Sequence, residues 1–299
     1  MKKKKLPDFL IVGAAKSGTT SLHHYLNEHP EIYLNSKKEL RFLSSMSRNF
    51  QGPGDENVNN SIPKNLEEYK KLFSTMHNGQ KAGDISPDYL YYYENSISNI
   101  KKYLTNPKVI IILRNPIERA YSQYTHFVRD GREEESFANA LTLCKERERM
   151  DWEWAWQYIN VGLYFNQVSA YKKNIKNVKV YLFEDLKSDP KKLIKDICEF
   201  LEVDSNFIPG NLKEKFNVSG IPKNKLLHNF LHNKNTLKSI VKLFIPLSYR
   251  RKIRKSLELK NIKKVPMKFE DRNYLKEFYR DDIRKLEKLI DRDLSHWLK

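Results

Sequence analysis

The sequence predicts an α/β fold, a parallel β-sheet flanked by helices, and three observations carry that expectation. Continuous apolar runs, DFLIVGAA from Asp8 and KVIIILRNP from Lys108, suit strands covered on both faces. Each is followed by a stretch with helical spacing, TSLHHYLNEHP and IERAYSQYTHFVR. The first run also breaks into a small turn, GAAKSGTT, at the carboxyl end of a strand, where such sheets bind ligands.

The remaining elements follow in chain order. The first helix ends at Pro30, and the polar stretch from Met46 to Pro63, with Gly52, Pro53 and Gly54, reads as a surface loop. NLEEYKKLF is a short amphipathic helix with Asn65 as N-cap, and QKAGDISPDYL is a short strand that turns at Pro87. VKVYLFEDL is a further strand. It runs into SDPKKLIKDICEFLEV, a helix whose start is marked by Asp189 as N-cap and Pro190 at the first helical position. Past about Leu201 the pattern turns helical and basic, closing with EDRNYLKEFYRDDIRKLEKLIDRDLSHWL. One domain is expected over 1–299, with an α/β core over about 8–210 and a basic, mostly helical region over about 211–299. The loops after Val12, Ala82 and Leu113 should share one rim of the sheet.

Composition narrows the class. With 39% hydrophobic and 31% charged residues in 299, the chain can bury a sizeable core beneath a very polar surface. No apolar stretch approaches the roughly 20 residues of a membrane span. The opening MKKKKLPDFLIVGAA resembles a signal peptide only superficially, because its apolar run leads straight into the glycine turn. Cys144 and Cys198 lie in helical patterns without metal-ligand spacing, so reduced structural thiols and a cytoplasmic location are expected. The net charge of +18 is concentrated: residues 221–269 hold 14 Lys or Arg against one acid, Glu258. That segment is either a solvated face or a surface for an anionic partner. With no recognised nucleic-acid motif, a glycan or a membrane fits better than nucleic acid.

The turn itself departs from the nucleoside triphosphate pattern. Gly13 and Gly18 keep the spacing of G-x-x-x-x-G-K-[ST], but Thr19 follows the second glycine and Lys16 sits inside the loop. Lys16, Ser17, Gly18, Thr19 and Thr20 supply consecutive amides and three hydroxyls at a helix N-terminus, a cradle for one phosphate. A second element is built for a dianion. Arg114 ends a buried strand, and Ser122 follows eight residues later, about two helical turns in.

Together K-S-G-T-T and L-R-N-P-x-x-R-A-x-S-x-Y resemble the two donor-binding motifs of sulfotransferases that use 3′-phosphoadenosine-5′-phosphosulfate. The likeness runs from about Asp8 to Leu201 and, more weakly, through FNVSGIPKNK. It implies a P-loop-NTPase-like sheet, a loop that holds the donor's 5′-phosphate, and Lys16 at the oxygen bridging phosphate and sulfate. It implies that Arg114 and Ser122 bind the 3′-phosphate, joined by Lys223 and Lys225 from a closing loop. No metal is implied, and the product would be 3′-phosphoadenosine-5′-phosphate. Arg119 reads instead as a structural residue paired with an acid such as Glu118, and Gly162 and Tyr164 read mainly as packing.

The stretch SKKELRFLS resembles the K-E-x-H-F-F segment of the glycan-modifying, heparan-sulfate branch, which places Glu39 as the base. Arg41 replaces the histidine and Leu43 the second phenylalanine. Arg41 would lower the Glu39 pKa or hold an acidic acceptor group. AGDISPDYL is similar to that branch's G-E-K-S-P-x-Y, with Asp84 for the glutamate and Ile85 for the lysine. Ser86 and Tyr89 are expected beside Asp84 on the acceptor rim. His228 and His232 are four apart without a third ligand, and Trp152, Trp154 and Trp156 suit either a sugar platform or core packing. The resemblance therefore implies in-line sulfuryl transfer to a hydroxyl or amine, on a carbohydrate or glycolipid. The alternative is a nucleoside or nucleotide kinase using ATP and magnesium, and it lacks a lysine after Gly18. Within 221–269, interleaved apolar and cationic residues suggest docking to an acidic polysaccharide or to the inner membrane face.

Overall fold

In the computed structural model the described residues are 6–44, 49–212, 220–224, 257 and 261–299. Five strands form one parallel sheet: β1 (Phe9–Gly13), β2 (Ile32–Leu34), β3 (Lys81–Ile85), β4 (Lys108–Leu113) and β5 (Asn177–Leu182). Their order is β2-β3-β1-β4-β5, with Phe9 opposite both Gly83 and Lys108. The chain crosses to the other side of β1 after β3, so a topological switch point lies at the carboxyl end of β1.

Alternation along the strands builds two cores. Leu10, Val12, Val109, Ile111 and Leu113 face one side of the sheet, and Phe9, Ile11, Ile85, Ile110 and Ile112 the other. The second face is covered by α1 (Thr19–Leu26), through Leu22 and Leu26, and by a late helix described below. After β2 come the short helices α2 (Glu56–Asn59) and α3 (Leu66–Lys71). Asn65 Oδ1 caps α3 by accepting from Glu68 N at 2.9 Å. Beyond β3, α4 (Asp88–Tyr91) and α5 (Tyr93–Tyr103) lead to β4, and α6 (Pro116–Arg129) follows it. Two further short helices, α7 (Phe137–Thr142) and α8 (Cys144–Arg149), precede α9 (Tyr164–Asn174). After β5, α10 (Phe183–Ser188) leads into α11 (Pro190–Leu201), which packs Leu193, Ile194, Ile197 and Leu201 on the second face. Asp189 Oδ1 caps α11 through Lys192 N at 2.9 Å, beside Pro190 at its first position. Both cysteines are buried free thiols.

A two-stranded antiparallel pair, β6 (Ile221–Pro222) with β7 (Ile262–Lys263), brings Gly220 and Lys264 to the edge of the sheet's carboxyl rim. The long helix α12 (Phe269–Ile290) then buries Leu275, Tyr279, Ile283 and Leu286 at helical spacing against α9 and α6. Its approach depends on Gly162, where a Cβ would sit 2.6 Å from the Tyr279 hydroxyl and 3.0 Å from Pro116 Cβ. Asp282 on α12 accepts from the amides of Tyr164 and Phe165 at 2.9 and 3.2 Å, which satisfies the first turn of α9. Among the described residues no helix is long and apolar enough to cross a membrane.

Candidate active site

One cleft of about 920 Å³ opens at the carboxyl end of β1. Its lining brings together most of the residues singled out from the sequence, from three separate stretches. Lys16, Gly18, Thr19 and Thr20 come from the turn after β1, Glu39 and Arg41 from the segment after β2, and Arg114 and Ser122 from the end of β4 and α6.

The turn after β1 makes an anion cradle by its backbone. Lys16 lies at φ 64° and Gly18 at φ 97°, the left-handed region that turns the chain abruptly into α1. At Gly18 a Cβ would also meet Leu186 Cδ2 at 2.5 Å, so glycine is required twice over. The first amides of α1 have no intrahelical acceptors and carry the positive end of the helix dipole. Ser17 departs from expectation: it is fully buried and does not line the cleft. Its hydroxyl turns inward to Ala15 O at 3.5 Å and to the Tyr164 hydroxyl, and its amide donates to Ala14 O at 3.3 Å. Burial drops the Lys16 ammonium to about 7, assisted by the charges of Arg129 and Arg114.

Arg114 is fixed from both sides. Its Nη1 donates to Lys16 O at 3.1 Å, its guanidinium lies 5.1 Å from the centre of the Phe183 ring, and Glu118 stands 4.0 Å away. Tyr164 OH donates to Arg114 O at 3.1 Å, so one tyrosine ties the turn after β1 to the end of β4. The sequence reading of Tyr164 as packing missed that link. Arg119 proves structural but not by pairing with Glu118. It is fully buried and donates to Tyr158 O, while Glu118 pairs with Arg272.

Opposite this wall of the cleft stands Glu39. Both Glu39, at φ 61°, and Arg41, at φ 58°, adopt left-handed backbone that costs about 1–3 kcal/mol for such residues. A buried carboxylate below them holds that conformation. Asp84 Oδ1 accepts from Ser86 Oγ at 2.6 Å, and Oδ2 accepts from the hydroxyls of Tyr69 and Tyr89 at 2.7 Å each. Ser86 Oγ in turn accepts from Arg41 N at 3.0 Å, and Tyr89 OH from Leu43 N at 3.2 Å. Glu39 N completes the clamp on Ile85 O at 3.1 Å. Asp84, Ser86 and Tyr89 therefore do not line the acceptor rim as expected. They are at most 1% exposed, because their polar atoms are spent on holding the 39–43 segment.

Arg41 Nη2 donates to Glu39 Oε2 at 2.6 Å and Nη1 to Glu153 Oε2 at 3.2 Å, while Lys38 Nζ lies 3.4 Å from Glu39 Oε1. Burial pushes the Glu39 carboxyl up, but Arg41 and then Lys38 outweigh it and hold the group down at about 2. Glu153 also accepts from Arg132 Nη1 and Nη2 at 3.2 and 3.1 Å, and Arg132 reaches Asp55 as well. His126 lines the cleft one helical turn beyond Ser122, and burial together with Lys16 depresses its imidazole to about 2, so it is neutral near pH 7.

Sequence reasoning missed His126, Arg132, Glu153 and Lys264. Only His126 had a signal, its four-residue step from Ser122 on one helix face. Lys223 is exposed and does not line the cleft, where Lys264 does, and Lys225, His228 and His232 lie outside the described residues. Of the three tryptophans, Trp154 and Trp156 are core residues at 4% and 0% exposure, and only Trp154 also lines the cleft.

A parallel sheet in this order, with an anion-cradling turn and an arginine–serine pair facing one cleft, defines a P-loop-like protein adapted to something other than a triphosphate. The chain belongs to the sulfotransferase family: the family described as the sulfotransferase domain matches residues 6–291. A sulfotransferase from Alicyclobacillus acidocaldarius of known crystal structure aligns over 99% of this chain and 100% of that one, at 33% identity and a TM-score of 0.78. The membrane-associated sulfotransferase kil1 of Dictyostelium discoideum is 37% identical over 125 residues, 41% of this chain and 23% of that protein. Heparan sulfate glucosamine 3-O-sulfotransferase 3B1 of Mus musculus is 26% identical over 200 residues, 66% of this chain and 46% of that protein. The chain thus spans less than half the length of these two curated relatives. It is a sulfotransferase enzyme, and the kinase alternative falls with that assignment.

Proposed function

We propose that the protein transfers the sulfuryl group of 3′-phosphoadenosine-5′-phosphosulfate to a hydroxyl or amine of a carbohydrate or glycolipid. The observation that carries this reading is the division of one cleft between a wall of cations and amides and a wall bearing a carboxylate. Lys16, Arg114, Lys187 and Lys264 line the first wall with Glu118 as its acid, which suits a donor with two phosphates and a sulfate. The amides of Lys16, Gly18, Thr19 and Thr20 hold the 5′-phosphate, and Arg114 with Ser122 holds the 3′-phosphate. No bound metal is required, because lysine and arginine supply the counter-charge.

In the reaction the acceptor oxygen or nitrogen forms a bond to sulfur as the bond from sulfur to the bridging oxygen breaks. The departing electron pair stays on the 5′-phosphate, where the Lys16 ammonium stabilises it. The acceptor's proton passes to Glu39. At a pKa of about 2 this carboxylate is a weak base towards a free alcohol. The proton becomes strongly acidic as the oxygen bonds to sulfur, so a weak, well-placed acceptor serves late in the transfer. Both relatives are sulfotransferases by name, and a carbohydrate acceptor follows here by analogy with the heparan sulfate glucosamine enzyme. The basic stretch 221–269, mostly outside the described residues, is proposed to dock an anionic surface, a membrane leaflet or an acidic polysaccharide.

The test is calorimetric binding of 3′-phosphoadenosine-5′-phosphate beside magnesium ATP. Tight, magnesium-independent binding that Arg114→Ala weakens by about 1.5–3 kcal/mol, the worth of a charged hydrogen bond, is expected. Preference for magnesium ATP, or an Arg114→Ala protein that binds like the parent, would sink the assignment.

A further inference from the structure

The two walls of the cleft differ in how their charges are occupied, and this bears on the acceptor. On the donor wall four cations, Lys16, Arg114, Lys187 and Lys264, face one carboxylate, Glu118, which is itself held by Arg272. On the opposite wall the cations are Lys38, Arg41 and Arg132, and each is already engaged by a carboxylate. Arg41 spends Nη2 on Glu39 and Nη1 on Glu153. Arg132 gives Nη1 and Nη2 to Glu153, Nη2 also to Asp55, and Nε to Pro53 O. Its flat face is covered by Phe127, with the guanidinium 4.2 Å from the ring centre. Lys38 is shared between Glu39 and Thr20.

The charges therefore cancel. Three cations meet Glu39, Glu153 and Asp55, and Asp55 is fixed by the amides of Gly52 and Glu153 at 2.9 and 2.8 Å and by Trp156 Nε1 at 3.1 Å. His126 adds no charge, its imidazole being depressed to about 2 by burial and Lys16. Burial raises the Asp88 carboxyl to about 7 against the pull of Arg41, so it adds at most partial negative charge.

We propose that the acceptor is an uncharged sugar hydroxyl, and that chains bearing uronate or sulfate at the reacting unit are excluded. The inference rests on the donor assignment above. An anionic acceptor would have to pull Arg41 or Arg132 away from Glu153, leaving that buried carboxylate with one guanidinium in place of two, or else sit against Glu39 and Glu153. Displacing Glu39 from Arg41 would also disturb the proton acceptor. A neutral hydroxyl asks for neither. Of the two roles the sequence left open for Arg41, lowering the Glu39 pKa or holding an acidic acceptor group, the contacts favour the first.

The test uses matched acceptors with saturating, radiolabelled 3′-phosphoadenosine-5′-phosphosulfate. 4-Nitrophenyl β-glucoside is compared with the β-glucuronide and the galactoside with the galacturonide, with the xyloside as a control lacking the sixth carbon. The neutral member of each pair is expected to have a kcat/KM about tenfold or more above its uronate, with the xyloside on the neutral side. Glu153→Gln, which leaves the wall one positive charge in excess, is expected to narrow that ratio about fivefold while affinity for 3′-phosphoadenosine-5′-phosphate stays within about twofold. Equal or preferred turnover of the uronates overturns the proposal. So does labelling of no neutral sugar by a protein that still binds 3′-phosphoadenosine-5′-phosphate tightly. Loss of that binding in the parent protein would instead count against the donor assignment.

Discussion

Replacing Arg41 with glutamine separates the forces that set the Glu39 carboxyl. Burial raises this group from its usual 4.5, and Arg41 followed by Lys38 brings it down to about 2. The net displacement corresponds to on the order of 3 kcal/mol favouring the ionised form. Part of that is screened, since the side chain is 30% exposed at the mouth of the cleft. In Arg41→Gln the burial remains and only the Lys38 contact at 3.4 Å opposes it, so the carboxyl should return to 4.5 or above. The sign follows from the depressed pKa: the pair stabilises the folded protein fully above 4.5, and that contribution is lost as pH falls towards 2. The assay is kcat/KM for the acceptor at saturating donor, from about pH 4 to about pH 8. The parent should show no acid limb from Glu39 in that window, and the variant a limb with its midpoint at or above 4.5. A variant profile that superposes on the parent's, in a protein that Glu39→Gln inactivates, would refute the argument that Arg41 controls the base.

Two other outcomes follow from the same geometry. Lys16 rests at about 7 in the free protein, and a phosphate placed beside it must raise that value. Binding of 3′-phosphoadenosine-5′-phosphate at about pH 8 should therefore take up close to one proton, read calorimetrically from the dependence of the heat on buffer ionisation, and Lys16→Met should abolish the uptake. Asp84→Asn puts an amide donor where Ser86, Tyr69 and Tyr89 all donate, which loosens the 39–43 segment at a cost of about 1–3 kcal/mol. Its kcat should fall about ten- to a hundredfold, with affinity for 3′-phosphoadenosine-5′-phosphate within about twofold of the parent. Equal losses in both would show a general packing defect instead.

What could be read in advance, and what could not, divides by the range of the interaction. β1 and β4 were legible because strands buried on both faces write themselves as unbroken apolar runs, and the edge strand β5 because its apolar residues alternate with polar ones. The caps at Asn65 and Asp189 were legible because each acts within three residues. β2 left no such trace. Three residues long, it is specified by its pairing with β3 about fifty positions away, and no local period can announce that. The site divides in the same way. The residues of the proposed donor wall sit in two contiguous stretches, so Lys16, Gly18, Arg114 and Ser122 could be named from sequence alone. The acceptor-facing wall is made by side chains that meet across the fold: Arg41 with Glu153 over 112 positions, Arg132 with Asp55 over 77. Asp84, Ser86 and Tyr89 were placed in the right neighbourhood but on the wrong side of the loop, since a short motif fixes adjacency and not which face is buried. On the proposed reading, donor use is written in local sequence and acceptor choice in long-range charge pairing. One consequence is that the sequence left Arg41 two roles, partner of Glu39 or holder of an acidic acceptor group, and only Glu153, which takes its second edge, weighs against the latter.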